Sequence, residues 1–330
     1  MLDLTTTDYS TELLNLYGIP EIEPFLPELA TESSQIVGRV TKRAADETGL
    51  KPGTPVVAGM MDVLACLVGC CLSSAGAAYQ GVFQNPMASP DVLGASSGAS
   101  FGAALAILAG VGNQGTTLSA FFWSLATVVL VYLVGQRAPG DRVLNLVLAG
   151  MVISSLFTAA TSYLKLVADP TNQLPEITYW LMGSLSGTRL ADVARIAPAM
   201  AAGLFPLFLL RWKLNLLTLG DDEARAMGVN APRLRFLTVV CATLVTAASI
   251  AVSGMIGWVG LVVPHLCRKL VGSNFRVLLP CSMLAGAAFL LLVDNLSRNL
   301  LATEIPIGIL TAFTGAPFFL YLMLRKGGAR

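Results

Sequence analysis

The sequence is 330 residues long with a formal net charge of +1, and it is 55% hydrophobic and 12% charged, with a mean hydropathy of +0.70. Soluble domains carry roughly a quarter charged residues, so this composition excludes an ordinary soluble protein. No basic stripe lies outside the loops, and we expect no nucleic-acid partner. The sequence predicts an integral membrane protein with lipid around it.

The first 55 residues differ from the rest of the chain. They contain nine acidic and four basic residues, and no apolar run in them approaches the roughly 20 residues that a spanning helix needs. Residues Met1–Asn15 also lack the charged-then-apolar pattern of a signal peptide. This part reads as soluble-protein sequence.

Apolar runs follow in quick succession from Val56 onward, and we predict nine membrane spans. The predicted spans are Val56–Ala78, Val92–Val111, Thr117–Val134, Val143–Leu164, Val193–Leu210, Phe236–Ser253, Ile256–Leu270, Val277–Leu296 and Ile305–Leu324. The fold class expected is therefore all-α: a polytopic membrane helical bundle behind a short soluble-like N-terminal fragment.

Two local patterns refine this picture. Gly98 and Gly102 form a small-xxx-small pair that allows close helix contact in lipid. The stretch Asp169–Asp192 is too polar to span, but its centre, Ile177–Leu185, can form a short re-entrant or interfacial helix, with Tyr179 at headgroup depth.

Lys and Arg residues orient the predicted spans. One alternate set of loops holds 13 of them and the other, leaving out residues 1–55, holds four. The richer set should be cytoplasmic, together with the C-terminus. Nine spans then place the acidic N-terminus outside, which is awkward without a signal, and we expect that one span is missing at the front.

The longest polar interval downstream of residue 80 is Arg211–Arg235. Asp221 or Asp222 can cap a helix there, and Gly228 can take the left-handed position that ends one. A compact two-helix element between spans suggests a docking surface, and the alternative is an ordered loop with no partner.

Four blocks downstream of residue 70 carry motifs in a fixed order: AGAAYQGVFQNPMASPDVLGASSGASFGA (Ala75–Ala103), LNLLTLGDDEARAMGVN (Leu214–Asn230), SGMIGWVGLVVPHLCRKLVG (Ser253–Gly272) and DNLSRNLLATEIPIGILTAFTGAPFFLYLM (Asp294–Met323). They resemble the permease subunits of bacterial ABC importers for iron-siderophores, haem and cobalamin, the FecCD family. Permeases of this family resemble one another in having ten spans and both termini in the cytoplasm, so the resemblance implies that a first span should precede Ala75.

The resemblance also implies partners and sites. It implies a second copy of the permease, cytoplasmic ABC ATPase subunits and a periplasmic or lipid-anchored substrate-binding protein, in a bacterial cytoplasmic (inner) membrane. It implies that Arg298 docks the binding protein and that Gln80, Asn85 and Pro86 lie in the turn after the first span, as a turn or a gate. The ATPase-coupling loop implied comprises Leu216, Leu217, Gly220, Asp221, Glu223, Ala224 and Gly228.

The front of the chain resembles a different family. The stretch from about Tyr17 to Gly69 resembles part of an FGGY-family sugar kinase, most clearly in the run IVGRVTKRAADETGLKPGTPVVAGMMDVLACLVG, Ile36–Gly69. The resemblance implies that Asp62 matches the general base. We divide the chain into a kinase-like fragment at 1–69, not an independent domain, and a permease domain at 70–330 that lacks its first span. The join falls between Leu64 and Ala75.

We weigh three functions. Kinase activity would rest on Asp62 alone, because no phosphate loop or metal-binding carboxylate accompanies it, and inside the predicted first span this carboxylate costs about 2.5–3.5 kcal/mol. A secondary transporter would carry ionisable residues within its spans. A permease importing a metal chelate with ATP from another subunit, and itself no enzyme, remains, with a transport-defective chimera as the alternative. No cofactor and no metal site are expected.

Overall fold

The structure is a computed structural model that describes residues 2–3, 8–9, 36–39, 41–42, 51, 53, 55–57, 62–140, 142–186, 188, 190–218, 221–300 and 304–326. The chain divides into two compact units, residues 1–61 and residues 62–330.

The first unit contains short antiparallel strands. Strand β1 (Leu2–Asp3) pairs with β2 (Asp8–Tyr9), and β3 (Ile36–Arg39) pairs with β4 (Pro55–Val57) across a bulge in the register. The Arg39 guanidinium donates to the Gly53 carbonyl at 3.1 Å, which ties β3 to the turn before β4.

The second unit is helical. Its helices in the described residues are α1 (Asp62–Val82), α2 (Ala95–Leu108), α3 (Gly112–Arg137), α4 (Arg142–Val167), α5 (Gln173–Met182), α6 (Leu190–Leu217), α7 (Asp221–Ala226), α8 (Ala231–Ser253), α9 (Val259–Val271), α10 (Phe275–Asn299) and α11 (Ile307–Lys326). A 3-10 turn, Pro90–Leu93, leads into α2.

Each of the nine predicted spans coincides with a helix, which confirms the all-α membrane bundle. Within the described residues, six helices are long and apolar enough to cross a bilayer: α1, α3, α4, α6, α8 and α10. Helices α2 and α9, with 14 and 13 residues, rise only about 20 Å at 1.5 Å per residue. They fall short of the roughly 30 Å hydrocarbon layer.

The first span begins later than predicted. Residues 55–57 form strand β4, and α1 starts at Asp62, whose side chain is exposed. The prediction that Asp62 lies within a span is therefore wrong, because the apolar run from Val56 divides between a strand and a helix. Asp62 is the first residue of the helix that could span the membrane. A carboxylate in a first turn interacts favourably with the helix dipole, so the insertion cost is lower than at the centre of a span.

Helix α1 is the centre of the bundle, and small residues let its neighbours approach. A methyl group on Gly69 would meet the backbone of Gly286 in α10. The Ser73 hydroxyl donates to the Ser282 carbonyl of α10 at 2.6 Å. These contacts fix α1 antiparallel to α10 along most of its length.

Gly98 and Gly102 provide the close helix contact that their spacing predicts. A methyl group on Gly98 would lie 2.6 Å from the Trp123 carbonyl oxygen, and one on Gly102 would lie 2.5 Å from that of Ser119. Both glycines therefore face α3 at close range, and the Ser119 hydroxyl donates to the Gly102 carbonyl at 2.7 Å. The predicted small-residue face is confirmed.

The connections gather at two ends of the bundle. We call one the α7 end, which holds the turns around residues 83–94, 218–230 and 272–274. The α5 end holds residues 109–111, 168–186, 254–258 and 304–306, together with α5, which confirms the predicted short helix with its start four residues earlier. There the Ser184 and Ile307 N–H groups donate to the Ser253 and Gly183 carbonyls, both at 2.9 Å.

Candidate functional site

The polar interval at the α7 end is built around α7. The N–H of Gly228 donates to the Arg225 carbonyl at 2.9 Å and that of Val229 to the Ala224 carbonyl at 3.0 Å, the paired bonds of a Schellman motif. Gly228 has φ +78° and is exposed, so it adopts the predicted left-handed stop. The next helix, α8, is capped by Asn230, whose side chain accepts from the Arg233 N–H at 3.1 Å.

The remaining predicted coupling residues separate into anchors and a displayed face. Leu217 and Ala224 are fully buried, Leu216 is nearly so, and Glu223 is exposed. The leucines form the last turn of α6, because α6 continues as one helix to Leu217. Gly220 and the side chain of Asp221 lie outside the described residues. We call residues 214–230 the α7 segment.

The turn after α1 reaches the α7 segment through a residue that sequence reasoning missed. Gln84 has φ +49°, rare for a residue with a side chain, and its amide donates to the Leu217 carbonyl at 2.7 Å. Asn85 and Pro86 are exposed in this turn, where the Asn85 side chain accepts from the Met87 N–H at 2.9 Å. A left-handed glutamine has no sequence signature, so Gln84 could not be picked out.

Gln80 is not in that turn as predicted. It lies inside α1, 3% exposed, and both its amide atoms lack a hydrogen-bond partner within the described part of the chain. Helix α1 extends to Val82 because nothing before the turn breaks it, which carries Gln80 into the packed interior.

A second missed residue is Asn215, near the end of α6. Its side-chain oxygen accepts from the Phe275 N–H at 2.8 Å, and its amide donates to the Asn274 side chain at 3.0 Å. Asn274 is the N-cap of α10. The partners lie 59 and 60 residues apart in sequence, so only the fold brings them together.

At the α5 end, charged residues pair with one another. Arg298 forms a two-point ion pair with Asp294, with contacts of 3.1 Å from Nε to Oδ2 and from Nη2 to Oδ1. Asp294 is 1% exposed. Glu304 accepts from the Ser184 hydroxyl at 2.7 Å and acts electrostatically on Asp294. We call Ser184, Asp294, Arg298 and Glu304 the α5-end cluster. Arg298, predicted to meet a partner, already has one in its own helix.

Asp62, the aspartate that matches the kinase general base, lies near the α5-end cluster, and the described residues around it form no phosphate site. Asp62 acts electrostatically on Asp294 from the exposed start of α1. Arg298 supplies the counter-charge to the buried Asp294, whereas Glu304 and Asp62 add like charge nearby. This is an ion-pair network rather than an arrangement that orients a nucleotide. Among the described residues no group of three His, Cys, Asp or Glu side chains could hold a metal ion.

A cavity of about 200 Å³ also opens at the α5 end. It is lined by Glu176, Tyr179 and Trp180 of α5, by Asp192 of α6 and by the last turn of α8. Its lining mixes carboxylates, hydroxyl groups and aromatic rings.

The fold agrees with the known families that the sequence matches. The model of the FecCD transport family matches residues 60–325. The chain belongs to the FecCD transport family. The model of the N-terminal domain of FGGY carbohydrate kinases matches residues 1–69, which confirms the second resemblance. The two matches overlap at residues 60–69, around the start of α1, and this overlap reaches into the predicted join.

Curated FecCD-type relatives are similar over most of their length. The molybdate import system permease protein MolB of Haemophilus influenzae is 42% identical over 266 residues, covering 80% of this chain and 79% of that protein. The cobalamin import system permease protein BtuC of Halobacterium salinarum is 41% identical over 262 residues, covering 79% and 70%.

A solved structure gives the same result. A metal-chelate type ABC transporter in an inward-facing conformation matches with a TM-score of 0.76 and 41% identity, covering 80% of this chain and 84% of that one. This FecCD-family chain is therefore a multi-pass membrane protein of the ABC permease type, a transport subunit rather than an enzyme.

Proposed function

We propose that this chain is the membrane-spanning permease subunit of a binding-protein-dependent ABC importer, energised by a separate ATPase subunit that docks on α7 and its stop at Gly228. One observation carries the proposal. Helix α7 is locked by its Schellman motif and its buried Ala224, yet it displays Glu223 and Gly228 outward. A rigid, exposed helix anchored to long spans can pass a push from a partner into the bundle.

The distribution of buried charge supports an external energy source. Among the described residues, the buried charged side chains are Arg235, in the second turn of α8, and Asp294, near the last turn of α10. Proton or sodium coupling needs ionisable groups deep in the spans. The deep interior described here offers small and hydroxyl side chains instead.

The assembly proposed contains two copies of the permease, cytoplasmic ATPase subunits and an external binding protein in a bacterial inner membrane. The excess of Lys and Arg supports an α7 end in the cytoplasm. Reporter fusions after Arg225 and Arg330 should then score cytoplasmic, and one after Asn172 should score external. A periplasmic score after Arg225 contradicts both the orientation and the docking role.

The cargo proposed is a metal chelate such as a ferric siderophore, haem or cobalamin. Support comes from the relatives, whose names include cobalamin and molybdate, and from the metal-chelate type transporter with the same fold. Ferric hydroxamate, cobalamin and molybdate, offered separately to cells that lack their own permeases, would rank these cargo classes.

A transport-defective chimera is the second candidate, and the FGGY match favours it. Residues 1–69 match a kinase domain at the position where FecCD permeases have sequence leading into the second span. We propose that this fragment takes the place of a membrane span and that the bundle transports poorly without that span.

The two candidates are separated by exchanging residues 1–61 for the front of an intact relative, a cut that leaves α1 whole. Uptake is measured together with membrane abundance. A gain in uptake per molecule supports the chimera as defective, whereas equal uptake at equal abundance shows that the unmodified chain is a working permease. No uptake by either chain contradicts the permease proposal itself.

A further inference from the structure

Asn215 lies where the α7 segment meets the start of α10. Helix N-termini leave their first N–H groups without partners inside the helix. In α10 the Arg276 N–H is satisfied by the Asn274 side chain at 3.0 Å, whereas the Phe275 N–H is satisfied by Asn215 from another helix at 2.8 Å. The first turn of α10 is thus held partly by the end of α6.

The residue that receives this bond is itself an anchor. Phe275 is 2% exposed, and its ring packs on α1 so closely that a methyl group on Gly81 would lie 2.9 Å from it. A displacement of Asn215 therefore acts on a backbone group that cannot yield without moving α10 and the end of α1 together.

Gln84 provides a parallel tie. Its amide bonds the Leu217 carbonyl, two residues beyond Asn215, at 2.7 Å. The Thr218 hydroxyl closes the same turn by donating to the Asn215 carbonyl at 2.6 Å. The last turn of α6, directly before α7, is thus bonded to the start of α10 and to the turn after α1.

We propose that Asn215 is a positioning residue that transmits the movement of the α7 segment to α10, and through α10 to the α5-end cluster. Helix α10 begins at Phe275, beside Asn215, and carries Asp294 and Arg298 in its last two turns. One helix of 25 residues, with Pro280 in its second turn, therefore joins the two ends over about 37 Å. The inference rests on the proposed function, because the movement it transmits is that of an ATPase docked on α7.

The chemistry requires an acceptor at Asn215. Aspartate keeps the acceptor for the Phe275 N–H and loses only the bond to Asn274. Leucine has a similar volume and loses both bonds. Asn145 offers a matched control, because its amide donates to the Ala138 and Pro139 carbonyls at 2.9 and 3.2 Å in the turn between α3 and α4 and is not bonded to the α7 segment.

The test uses the full chain with its cognate ABC ATPase in lipid nanodiscs, with hydrogen–deuterium exchange of residues 294–300 measured with and without MgATP. The unmodified chain, Asn215→Asp and Asn145→Leu should show an ATP-dependent change in exchange. Asn215→Leu should lose that change while the amount of co-purified ATPase and the rate of ATP hydrolysis stay unaltered.

Retention of the ATP-dependent change in Asn215→Leu overturns the proposal, and so does loss of ATPase binding, which would make Asn215 part of the docking surface. If Asn215→Leu does not fold, Asn215→Asp still decides: a folded Asn215→Asp chain without the change contradicts the role given to the Phe275 bond. An unmodified chain that neither binds ATPase nor responds to ATP rejects the proposed function instead, and the proposal with it.

Discussion

The two ends of the bundle satisfy their polar groups in different ways. At the α7 end, amide side chains bond backbone groups of neighbouring helices, as Gln84 does with the Leu217 carbonyl and Asn215 with the Phe275 N–H. At the α5 end, charged side chains bond one another or a hydroxyl group, as Arg298 does with Asp294 and Glu304 with Ser184.

The exposed surface of α7 can therefore meet a partner without rearrangement, whereas Arg298 at the α5 end must first release its contact with Asp294. Glu223 and Gly228 are exposed on a capped helix and need no rearrangement to be touched. Arg298 can meet an acidic group of a binding protein only in competition with Asp294, which is buried and would be left without its counter-charge.

The largest expected effect comes from breaking the buried pair. Arg298→Ala leaves Asp294 uncompensated and should lower the stability of the folded chain by about 3–5 kcal/mol. Arg195→Ala removes the matched pair with Asp192, in which the arginine side chain is 51% exposed, and should cost about 0–1 kcal/mol. Thermal unfolding in detergent compares the two variants.

The double variant Arg298→Leu/Asp294→Leu sharpens this prediction. An apolar pair of similar volume removes both charges, so it should be clearly more stable than Arg298→Ala. Equal loss in Arg298→Ala and Arg195→Ala would show that the Asp294 pair contributes no more than a surface pair.

The next effect concerns the stop of α7. Gly228→Val places a β-branched residue at φ +78°, which strains the backbone by about 1–2 kcal/mol although no atom lies within 4 Å of the new Cβ. ATP hydrolysis should continue while cargo uptake falls, because the α7 segment loses its fixed geometry.

Gly110→Val is the matched control, since Gly110 has φ +68° and open space as well, but lies at the α5 end. It should carry the same strain and leave coupling intact. Equal effects on uptake in the two variants, relative to membrane abundance, would reduce the role of Gly228 to stability alone.

The capping residues of the α7 segment could be predicted from the sequence, but its contacts with other helices could not. A glycine seven residues beyond Asp221 was enough to predict the left-handed stop at Gly228, because capping depends on neighbours in sequence. Gln84 and Asn215, which bond the end of α6 to neighbouring parts of the bundle, have no local signal, because their partners are distant in sequence.

A smaller effect is expected from charge reversal on the displayed face. Glu223→Lys should weaken association with the ATPase, with a larger loss at low ionic strength than at high, because exposed charges are screened by salt. Glu176→Lys reverses an exposed charge of α5 and should leave association unchanged. Titration of the detergent-solubilised complex at two salt concentrations measures both, and a salt-independent loss would indicate a packing defect.

The smallest effect concerns the turn before α5. Hydrogen bonds from the Thr171 N–H and then from Asn172 lower the pKa of the exposed Asp169 carboxyl. A lowered pKa stabilises the turn above the ordinary value for Asp, and this contribution is lost as the pH falls through the lowered value. Amide exchange of residues 171–174, corrected for intrinsic rates, should therefore increase only at acidic pH, and Asp169→Asn should remove the pH dependence.

At the α5 end, one ion pair was predictable from the sequence. Asp294 and Arg298 stand four residues apart, the spacing that pairs side chains on a helix, so their ion pair could have been predicted. The position of Asp62 at the start of α1 could not have been predicted. A hydropathy window covers both the apolar strand β4 and the first turns of α1, so the two are taken for one span. Asn215 and Phe275 meet only through tertiary packing.

The central claim is that α7 receives an ABC ATPase, and site-directed cross-linking tests it most directly. Glu223→Cys and, as control, Thr171→Cys each add one exposed thiol, at the α7 end and before α5 respectively. In membranes containing the ATPase, a bifunctional thiol reagent should link the cysteine at position 223 to the ATPase and leave the cysteine at position 171 unlinked. Linkage at position 171, or none at position 223 while the ATPase co-purifies, would contradict the account.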